Sequence, residues 1–582
     1  MSKSDRPGDG AANKWISRPV PKHALTDDQA RPWDDTLLKL LRYIGCANEN
    51  EAEDFLHPRL RALDDPFQIA GVEAAVARLK RAIDERETIQ IIGDYDVDGI
   101  TSTTILADAL SFLGNQPSYL IPRRIEDGYG LSPEVLNRVF EANTPNLVCV
   151  LDSGTNCKEE VQWIQDQGAE VIIIDHHQPK ENSEPHAILV NPHLEADSMD
   201  SWKNACTAGL VFKCVHGLLK CLRNEGYSRA QALDPKRYLE LAALGTVADL
   251  VPLVGENRIL VKHGLKGLAH TEWPGLKALL QACNISYGQP LEPTDVSFKL
   301  APPLNASGRL ADAAVPIDMF LETDSDACLK YAKELVALNR KRQDIERSMV
   351  NEAIELAHDQ DRHGPVLVLH HPEWHSGIVG IVAGKLSRTF QKPCIVLGQD
   401  NHPNQIKGSG RSIPGINLVE ALSACAPVLT SWGGHPMAAG VSLEVHALES
   451  FRTQLTQAVV EQASNALPET ELEISLWLTP DQIDRHLLET LDQLRPYGQK
   501  NPQPVLALSH IQLDQRPNAF GRNHLRFPMP RTRYPLQAVA WNMGDQPPPA
   551  QTPIDLAFTL NWQYWNGHCS PQAQIIDWRY AE

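Results

Sequence analysis

The stretch TIQIIGDYDVDG, residues 88–99, leads from an apolar run into three aspartates at alternate positions, Asp94, Asp96 and Asp98. Its first half is rich in β-branched and apolar side chains, which predicts a buried strand that ends at the aspartates. A calcium-binding EF-hand loop needs a helix at this point and a glutamate at its twelfth position. Counted from Asp94, that position is Ile105. The stretch is therefore not an EF-hand loop.

Two explanations of the three aspartates remain, a surface turn and a metal site. Asp and Gly are ordinary turn residues. Three carboxylates so close along the chain, however, repel one another unless a cation lies among them. We therefore favour a metal site and expect its other ligands where further strands end.

Apolar runs alternate with helical patterns from about residue 88 onward, which predicts an α/β domain with a largely parallel sheet. One apolar run ends at Asp152, and the next ends at Asp175, followed by His176 and His177. Asp249 lies near the end of a helical stretch. Ligands of parallel sheets bind beyond the carboxyl ends of the strands, so the three strand ends are expected to meet at one edge.

Carboxylates mixed with imidazole are ligands for Mg²⁺ or Mn²⁺, and the absence of grouped cysteines disfavours structural zinc. A carboxylate shared by two ions places them about 3.5–4 Å apart, where they promote hydrolytic phosphoryl transfer. Alternate residues of an extended chain face the same way. Asp175 and His177 should therefore point together and His176 to the opposite side, so that one histidine binds metal while the other faces the substrate.

The composition is that of an ordinary globular protein, with 42% apolar and 22% charged residues, and the 582 residues predict roughly three or four domains. The formal net charge of −19 slows the approach of a polyanion, but aspartates of a metal site count as negative although bound ions neutralise them. Residues 505–535 reverse the sign locally, with five arginines against one aspartate.

The 11 cysteines contain no C-x-x-C spacing, which favours reduced thiols in the cytoplasm over a disulfide framework. No export signal is recognisable, and no stretch of about 18 apolar residues occurs. We therefore expect a cytoplasmic protein that has no membrane segment.

Four motifs resemble, in sequence and order, those of the DHH phosphoesterase superfamily. They are GDYDVDG (93–99), LDSGT (151–155), DHH (175–177) and LGTVADLVPL (244–253). GSGRS (408–412) and GGHPMAAG (433–440) resemble the associated DHHA1 domain. Three further motifs narrow the similarity to the bacterial single-stranded-DNA-specific 5′→3′ exonucleases of this superfamily, over roughly residues 30–580. They are RRIEDGYGLS (123–132), LNASGRL (304–310) and EWHSGIVGIVAGKL (373–386).

The resemblance implies a role for each matching residue. The implied metal ligands of two Mg²⁺ or Mn²⁺ ions are Asp96, Asp98, Asp152, His176 and Asp249, with Asp94 in or beside the shell. Catalysis would rest on Asp98, Asp152, His176, Asp249 and His177, the last in contact with the scissile phosphate. A pocket for the 5′-terminal phosphate would consist of Arg124, Arg309, Ser409 and Arg411, with His435 touching the nucleic-acid backbone.

The expected fold class is α/β, with a parallel-sheet DHH domain and a smaller α/β DHHA1 domain joined by a long helix, followed by a β-rich OB-like domain. The expected segments are residues 1–50 (N-terminal segment, first part flexible), 51–323 (DHH), 324–358 (helix), 359–467 (DHHA1) and 468–582 (OB-like, nucleic-acid-binding). Arg516, Arg522 and Arg526 of the last segment should be exposed. Its aromatics fill the core or stack on bases, and these are Phe520, Phe527, Tyr534, Trp541, Trp562, Tyr564 and Trp565.

The function implied is two-metal hydrolysis of single-stranded DNA from the 5′ end to mononucleotides, in DNA repair and recombination. A single-strand-binding protein and a helicase are the implied partners, and the enzyme is expected to be a monomer. One alternative is hydrolysis of small substrates such as pyrophosphate, cyclic dinucleotides or very short oligonucleotides, for which the basic module has no evident use. Another is a catalytically silent nucleic-acid clamp, which has no need of clustered carboxylates.

Overall fold

The computed structural model describes residues 14–22, 24–25, 33–123, 127, 130–180, 183–194, 202–361, 364–399, 404–463, 471–533, 535–565 and 568–581. The flexibility expected of the first part of the N-terminal segment concerns residues 1–13, which lie outside this set. The chain divides into two compact units. Unit 1 comprises Met1–Ala62, Pro252–Val254 and Glu469–Glu582, and unit 2 comprises Leu63–Val251 and Gly255–Pro468.

Unit 1 begins with strand β1 (Lys14–Ser17) and helices α1 (Asp35–Ile44) and α2 (Glu49–Leu56). The Asp34 carboxylate starts α1 by accepting hydrogen bonds from the backbone N–H groups of Thr36 and Leu37 at 2.8 and 2.9 Å, as favoured N-cap residues do.

Unit 2 contains a five-stranded sheet in which every pair of neighbours is parallel, as predicted. Its strands are β2 (Ile89–Ile92), β3 (Ser118–Leu120), β4 (Leu147–Leu151), β5 (Glu170–Ile174) and β6 (Ile188–Val190), in the order β3-β2-β4-β5-β6. Strands β2 and β4 are buried along their whole length. This burial on both faces explains their unbroken apolar sequences.

Helices cover both faces of this sheet. They include α3 (Val72–Asp84), α4 (Val97–Leu113), α5 (Pro133–Ala142), α6 (Lys158–Asp166) and α7 (Thr207–Asn224). Val148 and Val150 of β4 pack against α5 and α6 in one core cluster.

A helical region follows the sheet. It contains α8 (Ser228–Ala232), α9 (Leu239–Ala248), α10 (Gly255–Leu268), α11 (Pro274–Ala282), α12 (Pro293–Asp295), a π-helix (Val296–Leu300), α13 (Ala301–Leu310), α14 (Val315–Leu321) and α15 (Ser325–Asp361). Helix α15 is the long connecting helix that the sequence predicted, and its 37 residues correspond to about 55 Å. Among the described residues, no helix is both long and apolar enough to cross a membrane.

A second, mixed sheet follows α15. The elements are β7 (Leu367–His370), α16 (Val379–Phe390), β8 (Cys394–Gln399), β9 (Gln405–Arg411), α17 (Leu418–Ala424), β10 (Ser431–His435), β11 (Ala438–Glu444) and α18 (Leu448–Gln462). The strand order is β10-β11-β9-β8-β7, and only the β7–β8 pair is parallel. Helix α16 packs on one face together with Met349 and Ala353 of α15, and α17 and α18 pack on the other.

The C-terminal part of unit 1 is β-rich. It contains β12 (Glu471–Ile474), β13 (Leu476–Leu478), α19 (Arg485–Gln493), β14 (Leu506–Ile511), β15 (Asn518–Phe520), β16 (His524–Pro528), β17 (Gln537–Ala540), β18 (Ile554–Trp565) and β19 (His568–Tyr580). Seven strands form one sheet in the order β13-β14-β18-β19-β17-β16-β15. The expected fold class is thus confirmed.

The N-terminal elements pack into the β-rich part, which the sequence did not indicate. Strand β1 pairs in parallel with β12, so that Trp15 lies opposite Leu472. Leu37 and Leu41 of α1 share a buried core with Leu488 of α19.

Candidate active site

The three aspartates of the loop after β2 differ in burial and in role. Asp94 and Asp98 are buried, with 2% and 1% of their surface exposed. Asp96 caps α4, because its Oδ1 accepts hydrogen bonds from the backbone N–H groups of Asp98 (2.9 Å) and Gly99 (3.2 Å). A Cβ on Gly99 would lie 2.4 Å from the Asp94 carbonyl oxygen. Only glycine therefore permits this tight turn, which points the carboxylates inward.

Asp152 follows β4 in a left-handed conformation with φ +62°. Residues other than glycine rarely adopt this conformation, which tends to occur at functional sites. The side chain is buried, and its Oδ1 accepts a hydrogen bond of 2.9 Å from the Thr207 hydroxyl.

The DHH run follows β5, which ends at Ile174. Asp175 and His177 lie together, as alternation predicted, but His176 does not point to the opposite side, because the ring centroids of His176 and His177 are 4.9 Å apart. Asp175 Oδ1 lies 2.7 Å from His177 Nδ1 and also accepts from the His176 backbone N–H at 2.8 Å. Asp175 Oδ2 accepts from the Thr155 N–H at 3.1 Å. His176 instead faces the carboxylates of other strands.

His176 Nε2 lies at the centre of the aspartate cluster. It is 3.4 Å from Asp152 Oδ1, 3.5 Å from Asp249 Oδ2 and 3.8 Å from Asp98 Oδ2. Asp249 reaches this point from the C-terminal end of α9. In three overlapping groups the ligand atoms lie within 4.8 Å of one another, namely Asp94–Asp96–Asp152, Asp98–His176–Asp249 and Asp152–His176–His177. The structure thus brings together the residues expected to bind metal.

Helix α7 supports this cluster through contacts that the sequence did not reveal. The backbone N–H groups of Thr207 and Ala208 donate to Asp98 Oδ2 (2.7 Å) and Oδ1 (2.9 Å). Thr207 therefore contacts two carboxylates, Asp98 through its backbone and Asp152 through its hydroxyl. A Cβ on Gly245 of α9 would lie 2.7 Å from Asp98 Oδ1. No motif marks a threonine at a helix start, so no sequence signal identified this contact.

Burial dominates the electrostatics of the cluster. It raises the pKa of Asp98 despite His176, and burial and repulsion from Asp98 and Asp96 raise the pKa of Asp152. Burial, then repulsion from Asp98, raises the pKa of Asp249 to about 8. Burial lowers the pKa of His176. Buried carboxylates that resist ionisation, with an imidazole among them, form a donor set that fits a divalent cation.

His177 and Asp175 form a separate charged pair. Burial lowers the pKa of His177, but the hydrogen bond and the charge of Asp175, together with the charges of Asp249 and Asp94, outweigh it and raise the pKa to about 9. Burial likewise opposes ionisation of Asp175, but the hydrogen bond and charge of His177, together with the Thr155 hydrogen bond and the charge of His176, outweigh it, and the pKa of Asp175 falls below its usual value. These contacts therefore favour the imidazolium form of His177.

Three residues of the expected phosphate pocket converge on the segment before and at the start of α16. Arg309 Nη1 donates to the Gly377 carbonyl oxygen at 2.6 Å. A Cβ on Gly380 would lie 3.2 Å from Ser409 Oγ and 3.3 Å from Arg411 Nη2. Arg124 lies outside the described residues.

The residues expected to form this pocket lie near both the GDYDVDG loop and His435. A Cβ on Gly308 would lie 3.0 Å from the Cβ and carbonyl oxygen of Tyr95, so the residue before Arg309 packs on the GDYDVDG loop. Across the second sheet, Ala438 lies opposite Arg411 on one side and His435 on the other. His435 therefore belongs to the same cross-strand row as Arg411.

The arginines of the β-rich part lie on its surface. Arg516, Arg522 and Arg526 are exposed around the β15–β16 hairpin, and Arg526 Cζ lies 5.9 Å from the Phe520 ring centroid. Trp541, 45% exposed, has its ring centroid 5.6 Å from that of Phe520.

The remaining aromatics divide between surface and core. The His524 ring lies 4.9 Å from that of Trp541, which extends the surface cluster. Phe527 is core. Trp562 packs partly buried against that core and donates to Asp492. Tyr534 and the side chains of Tyr564 and Trp565 lie outside the described part.

Family models and relatives agree with this architecture. The "DHH family, N-terminal domain" matches residues 88–246, the "DHHA1 domain" 363–461 and the "RecJ OB domain" 474–577. The single-stranded-DNA-specific exonuclease RecJ of Dickeya dadantii (strain 3937) is 34% identical over 562 residues, 93% of this chain and 96% of the relative. The chain belongs to the RecJ family.

Solved RecJ structures share the fold. The crystal structure of RecJ from Thermus thermophilus in complex with Mn²⁺ is 28% identical and matches with a TM-score of 0.81, over 98% of this chain and 80% of that one. The complex of the same protein with Mg²⁺ is 27% identical and gives a TM-score of 0.76, over 98% and 79%.

Proposed function

We propose that the chain is a metal-dependent exonuclease that degrades single-stranded DNA from its 5′ end to 5′-mononucleotides, in DNA repair and recombination. The observation that carries the proposal is the approach of two buried carboxylates, Asp98 and Asp152, and the half-buried carboxylate of Asp249 to His176 Nε2. Membership of the RecJ family supports single-stranded DNA as the substrate.

Two Mg²⁺ or Mn²⁺ ions would be held by this cluster. The overlapping donor groups support the count, with Asp94, Asp96 and Asp152 for one ion and Asp98, His176 and Asp249 for the other. Metal complexes of the Thermus relative support the choice of metal. Such ions activate a water and neutralise the charge that develops on a phosphodiester.

His177 contributes a fixed positive charge. Asp175 holds its Nδ1 at 2.7 Å, which leaves Nε2 as the donor toward an oxygen of the scissile phosphate. With its pKa raised to about 9, the ring stays protonated at neutral pH and makes a charge-assisted hydrogen bond.

The 5′ polarity would come from an end pocket beside the cluster. Arg309, Arg411 and the Ser409 hydroxyl border the same segment, and guanidinium groups match phosphate geometry. Arg124 belongs to the same proposal. A terminal phosphate bound there would hold the first internucleotide bond at the metal loop, while His435 contacts the backbone.

The β-rich part would hold the strand that awaits cleavage. Positive groups beside exposed aromatics are the usual means of sequence-independent single-strand binding, and Arg516, Arg522 and Arg526 lie around such aromatics. We retain the segments 1–50, 51–323, 324–358, 359–467 and 468–582 as the functional division. A single-strand-binding protein and a helicase are the proposed partners of a cytoplasmic monomer.

Strands labelled at the 5′ or the 3′ end, with their duplexes, test this function in the presence of Mg²⁺ or Mn²⁺. We expect the 5′ label to appear at once as a mononucleotide, while 3′-labelled strands shorten stepwise and duplexes persist. Strands with a 5′-phosphate should be cut faster than 5′-hydroxyl strands, and Arg411→Ala should remove this difference. Efficient cleavage of circular single strands, or release of the 3′ label first, would contradict the proposal.

A further inference from the structure

Leu250, the residue directly after Asp249, combines two unusual properties. Its φ is +58°, and 67% of its surface is exposed. Helix α9 ends here, with the Leu250 N–H donating to the Val247 carbonyl oxygen at 3.3 Å. Glycine or asparagine is the usual residue at such a left-handed helix end, because a larger side chain is strained there.

Neither property stabilises the folded chain. A left-handed conformation costs a leucine free energy that glycine does not lose. A largely exposed leucine also gains little from burial in return. Packing within the described part of the chain therefore does not offset the strain and exposure of Leu250, whereas contact with a bound strand would.

The position of Leu250 limits what it contacts. Adjacent Cα atoms lie about 3.8 Å apart, so Leu250 stands at the edge of the carboxylate cluster that Asp249 enters. A DNA strand with its phosphate at that cluster presents charged backbone and uncharged base faces. An apolar side chain is complementary only to the base faces, which all four nucleotides possess.

We propose that Leu250 packs against the nucleobase beside the scissile phosphate and positions the strand without reading its sequence. This inference rests on the proposed function. The exposed side chain would lie against the base, and substrate binding would complete the burial of its surface.

Leu250→Gly provides the central test because it removes the side chain and the backbone strain together. We expect a higher melting temperature than wild type, a KM for single-stranded DNA raised about fivefold to tenfold, which is the scale of partly burying a leucine, and a nearly unchanged kcat. Leu250→Met keeps an apolar surface and should retain the wild-type KM. A lower melting temperature together with lower activity would instead indicate a structural role and contradict the inference.

Abasic substrates identify the contact itself. Three substrates should be compared, each with a single abasic nucleotide at the first, second or third position from the 5′ end. For one of them the KM of the wild type should be raised by a factor similar to that caused by Leu250→Gly. With that substrate, the KM of Leu250→Gly should not rise further, because the side chain and the base form one contact. If the KM increases caused by Leu250→Gly and by the abasic nucleotide multiplied for all three substrates, the inference would be contradicted.

Two control variants isolate the effect. Arg86 has φ +55° and is exposed just before β2, so Arg86→Gly relieves the same strain and should leave KM unchanged. Phe112 is 42% exposed at the opposite end of α4 from Asp98, so Phe112→Ala should also leave KM unchanged. An equal KM increase in either control contradicts the role of Leu250. Absence of DNA hydrolysis by the wild type contradicts the proposed function instead.

Discussion

The carboxylate cluster and the β15–β16 hairpin are both proposed to act on a DNA strand, but they hold their charges in opposite ways. Asp98 and Asp152 are almost fully buried, and backbone and hydroxyl donors of α7 hold their oxygens. Arg522 and Arg526 are exposed, the first in the turn between β15 and β16 and the second on β16. Buried charges interact strongly and tolerate little change, whereas exposed charges are screened and act together. Single substitutions should therefore have large effects in the cluster and small ones on the hairpin.

The largest effect is expected at the cluster itself. Asp152→Asn and Asp249→Asn each remove a charge while keeping the side-chain size, and should lower kcat about 10³-fold, the scale of losing a preorganised electrostatic group. Binding of single-stranded DNA in the presence of a chelator should persist, as measured by fluorescence anisotropy. Activity above a tenth of wild type in either variant would show that the carboxylate does not hold a catalytic ion.

A smaller effect, a loss of metal affinity, is expected from substitution of Thr207, which contacts the carboxylate of Asp152. Thr207→Val keeps the shape but removes the hydroxyl that donates to Asp152 Oδ1 at 2.9 Å. Supporting contacts of this kind change metal affinity by about 10- to 100-fold, and Mn²⁺ titration calorimetry measures it directly. Thr207→Ser retains the donor and should bind Mn²⁺ nearly as the wild type does. If the valine and serine variants had equal affinity, the hydroxyl would have no such role.

The pH dependence of stability should reveal the strain in the metal-free cluster. The pKa of Asp249 is raised to about 8, well above its unfolded value of about 3.9. Between these values the folded chain binds more protons than the unfolded chain, so this group lowers stability as pH rises. In chelator, the wild type should therefore lose more stability between pH 5 and 8 than Asp249→Asn does, as followed by thermal melting. Identical slopes for the two proteins would contradict the raised pKa.

The smallest effects are expected from substitutions on the β15–β16 hairpin, which should change DNA binding. The double variant Arg522→Ala, Arg526→Ala should weaken binding of long single strands and reduce the slope of log affinity against log salt by about 1.4, as expected for two lost phosphate contacts. Hydrolysis of very short oligonucleotides should persist. Arg485→Ala is the matched control, because Arg485 is 82% exposed on α19. If the slope of log affinity against log salt were unchanged in the double variant, the hairpin would not be part of the DNA interface.

Point substitutions serve this test better than deletion of the β-rich part. Leu37 and Leu41 of α1 share a core with Leu488 and Phe558. Deletion of residues 469–582 would therefore expose apolar surface of the N-terminal helices and confound a binding measurement.

The sequence predicted the carboxylate cluster because the strands of a parallel sheet end at one edge, independently of the helices that surround the sheet. It missed Thr207, because a threonine that starts a helix is common and its contact with Asp152 depends on helix packing. It also missed the pairing of β1 with β12, in which Lys14 lies opposite Glu471. Such a distant pairing leaves no local pattern.

The sequence likewise did not predict which aromatic residues of the β-rich part are buried and which are exposed. Phe527 is buried in the core while Trp541 is 45% exposed, although both are aromatic residues of the same β-rich segment. Their separation depends on strand register, which composition does not specify.

Electron paramagnetic resonance of free Mn²⁺ most directly tests the central claim that the buried cluster is a two-metal site. Titration of the wild type should show loss of the free-ion signal for two equivalents of Mn²⁺, with spectral broadening from coupled ions. Asp152→Asn, which changes the carboxylate common to two of the donor groups, should bind at most one equivalent without coupling. Uptake of the same two coupled ions by Asp152→Asn would contradict the account.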